Sequence, residues 1–92
     1  MEALHLFFEK IKDDPRIGPL HISLYKALLS IQEERPEQRY LPINREELVV
    51  RSKIFGKNAY YRCLKELAAF GYIEYRPEHH PGKKSSFMLS VS

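Results

Sequence analysis

Proline and glycine residues divide this sequence into short segments, and that division limits what the chain can fold into. The breaks lie at residues 13–15, 36–40, 53–56 and 77–85 and at Gly71. Proline disfavours helix in the residue before it, and glycine readily adopts left-handed backbone, so each break separates two elements. A chain of 92 residues has room for about one domain. We therefore expect one small core built from short elements.

Two segments in the first half carry apolar residues at helical spacing. Residues 2–12 predict an amphipathic helix, and its apolar stripe consists of Leu4, Phe7, Phe8 and Ile11. Residues 19–35 predict a second helix, because Pro19 suits a first helical turn and Pro36 disfavours helix in Arg35. The residues that recur at helical spacing are Ile22, Tyr25, Leu28, Leu29 and Gln32, and Leu24 and Ile31 widen the stripe.

Two more helices are predicted in the second half. Asn44 precedes Glu47 by three residues, the spacing at which each side chain can bond an amide near the other, and this pair predicts a helix over 45–52. After the 53–56 connector, residues 57–70 predict a longer helix that ends at Gly71. The inward-facing residues of the two helices are predicted to be Leu48, Val49, Tyr60, Leu64, Leu67 and Ala68.

The remaining patterns predict strands. Residues 41–43 predict a short strand that Pro42 restricts to a sheet edge. Residues 72–76 and 86–91 alternate as two strands of a hairpin, and the Pro81-Gly82 pair lies in its long basic tip. The predicted fold class is mainly α with a small β-hairpin, and the element order is typical of a winged helix-turn-helix.

A single winged-helix domain is expected over residues 1–92. It comprises an N-terminal helix over 1–14 and a three-helix core with a C-terminal wing over 19–92. The N-terminal helix is a possible dimerisation element, because its apolar stripe is large for an appendage, but it could equally cap its own core.

Several classes of protein are excluded by composition. No apolar run approaches the ~18 residues that span a bilayer, and the N-terminus lacks the basic region of a secretory signal, so a cytoplasmic location without membrane contact is expected. Cys63 is the single cysteine, so neither an intrachain disulfide nor a zinc ribbon is possible. The histidines lack metal-ligand spacing. No metal, cofactor or enzymatic activity is predicted, and Cys63 is interpreted as a small core residue.

The positive charge is concentrated in the second half. Residues 1–44 hold six bases and seven acids, whereas residues 45–92 hold nine bases and five acids. Five bases lie between Glu47 and Glu66 with no acid among them. Such a run can be an electrostatic footprint for a polyanion, and it can equally be a solvated helix face.

The outward face of the 57–70 helix is the expected DNA-binding site, because the second helix of a helix-turn-helix enters the major groove. Asn58 could pair with adenine and Arg62 with guanine, while lysines contact phosphates. The predicted DNA contacts are Lys57, Asn58, Tyr61, Arg62 and Lys65 on the helix, Arg51, Ser52 and Lys53 before it, and Lys83, Lys84, Ser85 and Ser86 in the wing tip. The alternatives are surface charges paired with Glu66 or solvent, and a solvated wing tip.

Two stretches carry a resemblance to known families. Residues 46–91, which contain the pattern KEL…GYI, resemble the winged helix-turn-helix core of bacterial transcription regulators. Residues 17–32 (IGPLHISLYKALLSIQ) together with residues 60–67 (YYRCLKEL) are similar to small regulator-like proteins of bacterial conjugative transposons and related mobile elements. The resemblance implies DNA binding through positions 57, 58, 61, 62 and 65 and control of transfer or element genes. One departure is Phe55-Gly56, where a polar N-cap residue is more usual, which leaves the start of the helix open.

The expected function is therefore sequence-specific binding of double-stranded DNA by a transcriptional regulator. A homodimer formed through the N-terminal helix is a possible partner arrangement. The alternative is a winged-helix adaptor in a mobile-element transfer or replication complex, whose basic face meets an acidic protein.

Overall fold

A computed structural model describes residues 2–90, and within them the chain forms four helices and a three-stranded antiparallel sheet. The elements are α1 (Glu2–Ile11), α2 (Pro19–Glu34), β1 (Leu41–Pro42), α3 (Arg45–Ser52), α4 (Lys57–Ala69), β2 (Ile73–Arg76) and β3 (Ser86–Leu89). The predicted order of helices and strands is confirmed, and apart from the end of the last strand each boundary agrees to within one residue. The predicted strand end at Val91 lies outside the described residues.

The sheet has the strand order β1-β3-β2. In the hairpin, Tyr75 lies opposite Phe87, and on the other side of β3 Leu41 also lies opposite Phe87. The Ile43 amide extends the β1 pairing by donating to the Ser85 carbonyl oxygen at 2.7 Å. The predicted hairpin thus has β1 as a third strand, and Pro42 lies at an edge as expected.

The core lies between α2, α4 and the inner face of the sheet. Leu24, Leu28, Leu64, Leu67 and Phe87 are at most 1 % exposed. Gly71 ends the α4 region with φ +88°, a left-handed conformation that glycine adopts without strain. The turn at Gly71 allows the next residues, Tyr72 and Ile73, to return into the core, where each is 3 % exposed.

Helix α1 packs on the core of its own chain through the buried Phe7 ring, with the partly buried Leu4 and Ile11 beside it. The Phe7 ring is fully buried, stacks on Tyr25 with 3.8 Å between ring centroids, and meets Tyr72 edge-on at 5.5 Å. The predicted apolar stripe is narrower than expected, because Phe8 is 39 % exposed. Of the two alternatives for this helix, the structure has the one in which α1 packs on the core of its own chain.

The predicted capping pair at the start of α3 is half formed. The Asn44 side chain accepts a hydrogen bond from the Glu47 amide at 3.2 Å. The Glu47 carboxylate does not return the bond, because it faces Arg51 at 3.2 Å instead.

Among the described residues, no helix is both long and apolar enough to cross a membrane.

Candidate functional site

The outward face of α4 carries the polar side chains that the sequence predicted there. Lys57, Asn58, Arg62 and Lys65 are exposed, and Tyr61 is half-buried. The Tyr61 ring is fixed edge-on against the buried ring of Tyr60, with 4.9 Å between centroids. The helical spacing of these five residues places them on one continuous surface.

Grooves separate this face from the loop between β2 and β3, residues 77–85. One groove has a volume of about 620 Å³, and an adjoining one of about 230 Å³ shares four residues with it. The shared residues are Tyr61, Tyr75, Glu78 and Ser85. Lys65 lines the larger groove, while Lys83 and Lys84 line the smaller one. The structure therefore brings α4 and the loop lysines together, although they are about 20 residues apart in sequence.

Hydrogen bonds within the chain order the loop. The Glu78 amide donates to Ser85 Oγ at 2.9 Å, and Glu78 Oε1 accepts from the His79 and His80 amides at 3.0 and 3.1 Å. Ser85 is half-buried through this bond, and Ser86 belongs to β3. Lys83 and Lys84 remain exposed at the tip. These hydrogen bonds fix the loop that carries the two exposed lysines. The Glu78 carboxylate that takes part in them also lines both grooves.

The cations of the α4 face and the loop tip form no salt bridge with the side chains that the structure describes. Across residues 4–90 no carboxylate lies within the 4.0 Å salt-bridge distance of them. Glu66, the partner that the alternative interpretation gave to these cations, has its Oε1 atom 2.8 Å from Nε2 of His21. His21 accepts from the Gly18 amide through Nδ1 at 3.0 Å, so its neutral ring donates to Glu66. The Glu66 carboxylate is therefore directed towards α2.

Arg51 has a structural role that the sequence reasoning missed. Its guanidinium forms two hydrogen bonds with the Glu34 carboxylate, at 2.9 and 3.0 Å, and a third with Ser30 Oγ at 3.0 Å. The hydrogen bond to Glu34 is the main reason that the pKa of Arg51 is raised, and it lowers the pKa of Glu34. Arg51, which was predicted to contact a phosphate, instead links α3 to α2.

The prediction for Ser52 needs the same correction. Its side chain is 3 % exposed, and its hydroxyl accepts from the Ile54 amide at 3.3 Å. Ser52 therefore does not belong to the surface. Lys53, the next residue, is exposed and has φ +64°, a left-handed conformation that is strained for a side-chain-bearing residue.

Arg45 belongs to the same surface and was not predicted. It is exposed at the first position of α3, with its guanidinium carbon 5.8 Å from the Tyr61 ring centre, and it lines the smaller groove with Lys83 and Lys84. A base in a first helical turn opposes the helix dipole. That disfavoured position was the signal in the sequence that could have identified it.

Groups suited to other chemistry are sparse in the described part of the chain. Among residues 2–90, no three His, Cys, Asp or Glu side chains are grouped so that they could hold a metal ion. Cys63 is 1 % exposed, and burial raises the pKa of its thiol, as fits the core residue that the sequence predicted.

Comparisons of this chain with protein-family models, curated proteins and solved structures found no match.

Proposed function

We propose that this chain binds double-stranded DNA sequence-specifically as a winged helix-turn-helix regulator. In this proposal α3, the turn at 53–56 and α4 form the helix-turn-helix, and α4 enters the major groove. The β2–β3 loop is the wing, and it contacts the sugar-phosphate backbone or the minor groove.

The observation that carries the proposal is the grouping of unpaired cations from three separate segments. These cations are Arg45 of α3, Lys57, Arg62 and Lys65 of α4, and Lys83 and Lys84 of the loop. Arg45, Lys65 and the two loop lysines line the adjoining grooves, which makes the space between α4 and the loop a path for an anionic strand. Lysines and arginines of this kind provide most of the affinity for duplex DNA.

Sequence preference is assigned to α4. Asn58 and Arg62 are four residues apart and both exposed, so one face of the helix offers two side chains that can bond base edges. Asparagine pairs with adenine and arginine with guanine, each contact being worth about 1–3 kcal/mol of discrimination. Tyr61 lies on the same face of α4 with its ring held edge-on against Tyr60, and its hydroxyl is assigned to a phosphate or a base edge.

The proposal includes a homodimer formed through α1. Leu6 and Phe8 of α1 and Leu20 of α2 are 39–41 % exposed, although they are large and apolar. A two-fold dimer would match palindromic half-sites about one helical turn apart.

The test is selection from a random duplex library with the purified full chain, followed by fluorescence anisotropy at several salt concentrations. We expect an enriched sequence, and log Kd should change with log salt by about 0.9 for each phosphate neutralised. Arg62→Ala should weaken binding and relax the preference at one position. Lys57→Ala should weaken binding to all duplexes and lower the salt slope by about 1.

Arg39→Ala provides the matched control. Arg39 is also exposed and without a carboxylate partner among the described residues, but it lies in the connector between α2 and β1 and lines none of the described grooves. Equal losses for Arg39→Ala and Arg62→Ala would show nonspecific attraction and contradict the α4 assignment. No duplex binding at low salt would contradict DNA binding altogether and leave the protein–protein adaptor as the interpretation to test.

A further inference from the structure

Phe55 is an apolar side chain displayed at the edge of the basic surface. It is 71 % exposed, more than the other exposed large apolar residues of the described chain. It directly precedes Gly56, the N-cap residue of α4. An apolar residue at this position commonly packs on the fourth residue of the helix, here Tyr60. Tyr60 is 1 % exposed within the core, and most of the Phe55 ring is instead in solvent.

The turn holds Phe55 in this outward position. Ile54, its neighbour, is 3 % exposed and is anchored through its amide to Ser52 Oγ. Burial of Ile54 fixes the turn at this point, and the next side chain, Phe55, lies on the solvent side of it. Ile54 therefore anchors the turn that carries the exposed Phe55 ring.

The surroundings of Phe55 favour a nucleic-acid occupant. Lys53 and Lys57 lie two residues to either side, and both are exposed without a carboxylate within 4.0 Å among residues 4–90. Asn58 follows in the first turn of the helix. An apolar ring between two unpaired lysines matches a surface that is anionic at its edges and apolar at one point. The major groove has this character at thymine, because the 5-methyl group is the apolar feature that proteins contact there.

We propose that Phe55 contacts a thymine 5-methyl group beside the base pairs that α4 reads, and that it thereby determines sequence preference at that position. This inference rests on the proposed DNA-binding function, and it adds an apolar contact to the polar ones of Asn58 and Arg62.

The experiment uses the duplex enriched by the wild-type chain. Each thymine is replaced in turn by deoxyuridine, which lacks only the 5-methyl group. At one thymine we expect the wild-type affinity to fall about 3- to 5-fold, because the complex no longer buries that methyl group. Phe55→Ala should lose affinity for the thymine duplex by at least this factor and should bind the thymine and deoxyuridine duplexes equally.

Val50→Ala is the matched control, because Val50 is also apolar and 58 % exposed but lies on α3. It should keep the wild-type sensitivity to deoxyuridine. Thermal melts check that Phe55→Ala remains folded, as expected for a ring that is mostly in solvent.

The outcomes separate the two proposals. If the wild-type chain enriches no duplex, the proposed function itself fails. If a duplex is enriched but no deoxyuridine lowers the affinity, or if Phe55→Ala keeps the sensitivity, DNA binding stands and the thymine contact is wrong. A change in sedimentation for Phe55→Ala would instead assign the ring to an interface between two copies and overturn the inference.

Discussion

Tyr72 donates its hydroxyl proton to Asp14, and 2.6 Å separate its Oη atom from Oδ2 of the carboxylate. The same carboxylate accepts two hydrogen bonds from the Arg16 guanidinium, both at 2.8 Å. The Arg16 guanidinium carbon also lies 4.1 Å from the centre of the Phe70 ring. One carboxylate therefore joins the connector between α1 and α2 to the end of α4 and the start of β2.

Replacement of Asp14 should change the response to acid. The hydrogen bond from Arg16, followed by that from Tyr72, holds the pKa of Asp14 well below its usual range. Because the folded-state pKa is depressed, the stabilisation is present above the unfolded-state pKa of about 4 and is lost as the pH falls below it. Asp14→Asn should be less stable than wild type at pH 7, and its stability should decline less between about pH 4 and 2. Urea titrations across this pH range measure the free energy of unfolding of both proteins. An equal decline of the two with falling pH would contradict the prediction.

Two buried tyrosines should respond in opposite ways to loss of the hydroxyl. The Tyr25 hydroxyl is buried without a hydrogen-bond partner among the described residues, whereas that of Tyr72 is bonded to Asp14. Burial raises the pKa of both tyrosines to about 12. Tyr25→Phe should raise the free energy of unfolding by about 1 kcal/mol, because an unsatisfied buried hydroxyl is removed. Tyr72→Phe should lower it by a similar amount. Destabilisation by both variants would show that Tyr25 has a partner.

Local signals in the sequence predicted the fold well. The Asn44 half of the capping pair and the left-handed break at Gly71 depend on neighbouring residues alone, and both are confirmed. The role of Arg51 could not be predicted in this way, because its partner Glu34 lies 17 residues earlier on another helix. The same limit applies to α1, where packing on Tyr25 decides that Phe7 is buried while Phe8 is not.

The candidate surface was predictable where it follows helical phase, as it does along α4. Its other members depend on how α3, α4 and the hairpin meet. The groove that brings Arg45 beside Tyr61 and the loop lysines exists only after packing. Ser52 is excluded from the surface for a related reason, since the 53–56 turn uses its hydroxyl internally.

Lys53→Gly should separate stability from DNA affinity. Lys53 has φ +64° at the end of α3, and glycine adopts this conformation without strain. The substitution should raise the free energy of unfolding by up to about 1 kcal/mol, because relief of strain exceeds the added flexibility of the unfolded chain. Duplex affinity should fall, and the salt slope should decrease by about 1 if the ammonium neutralises a phosphate. Unchanged affinity would place Lys53 outside the interface.

Glu78→Gln should strengthen DNA binding. The carboxylate lines both adjoining grooves, where it would repel a phosphate strand. Glutamine keeps an oxygen for the His79 and His80 amides but removes the charge, so affinity should rise about 2- to 5-fold, in keeping with a solvent-exposed charge interaction. The matched control is Asp13→Asn, because Asp13 is an exposed carboxylate in the connector between α1 and α2. An equal rise for both variants would indicate an effect of net charge alone.

Neighbouring phenylalanines of α1 should affect different properties of the protein. Phe7 is fully buried against Tyr25, so Phe7→Ala should lower the free energy of unfolding by about 3–5 kcal/mol. Phe8 is 39 % exposed, and the nearby ammonium group of Lys26 lies 5.8 Å from its ring centre. If a second copy covers this ring, Phe8→Ser should convert the dimer to a monomer with little change in monomer stability. Sedimentation velocity at micromolar concentration measures this, and a wild-type chain that is monomeric there would remove the dimer from the proposal. DNA binding through α4 would then involve one half-site, because each copy carries a complete set of contacts.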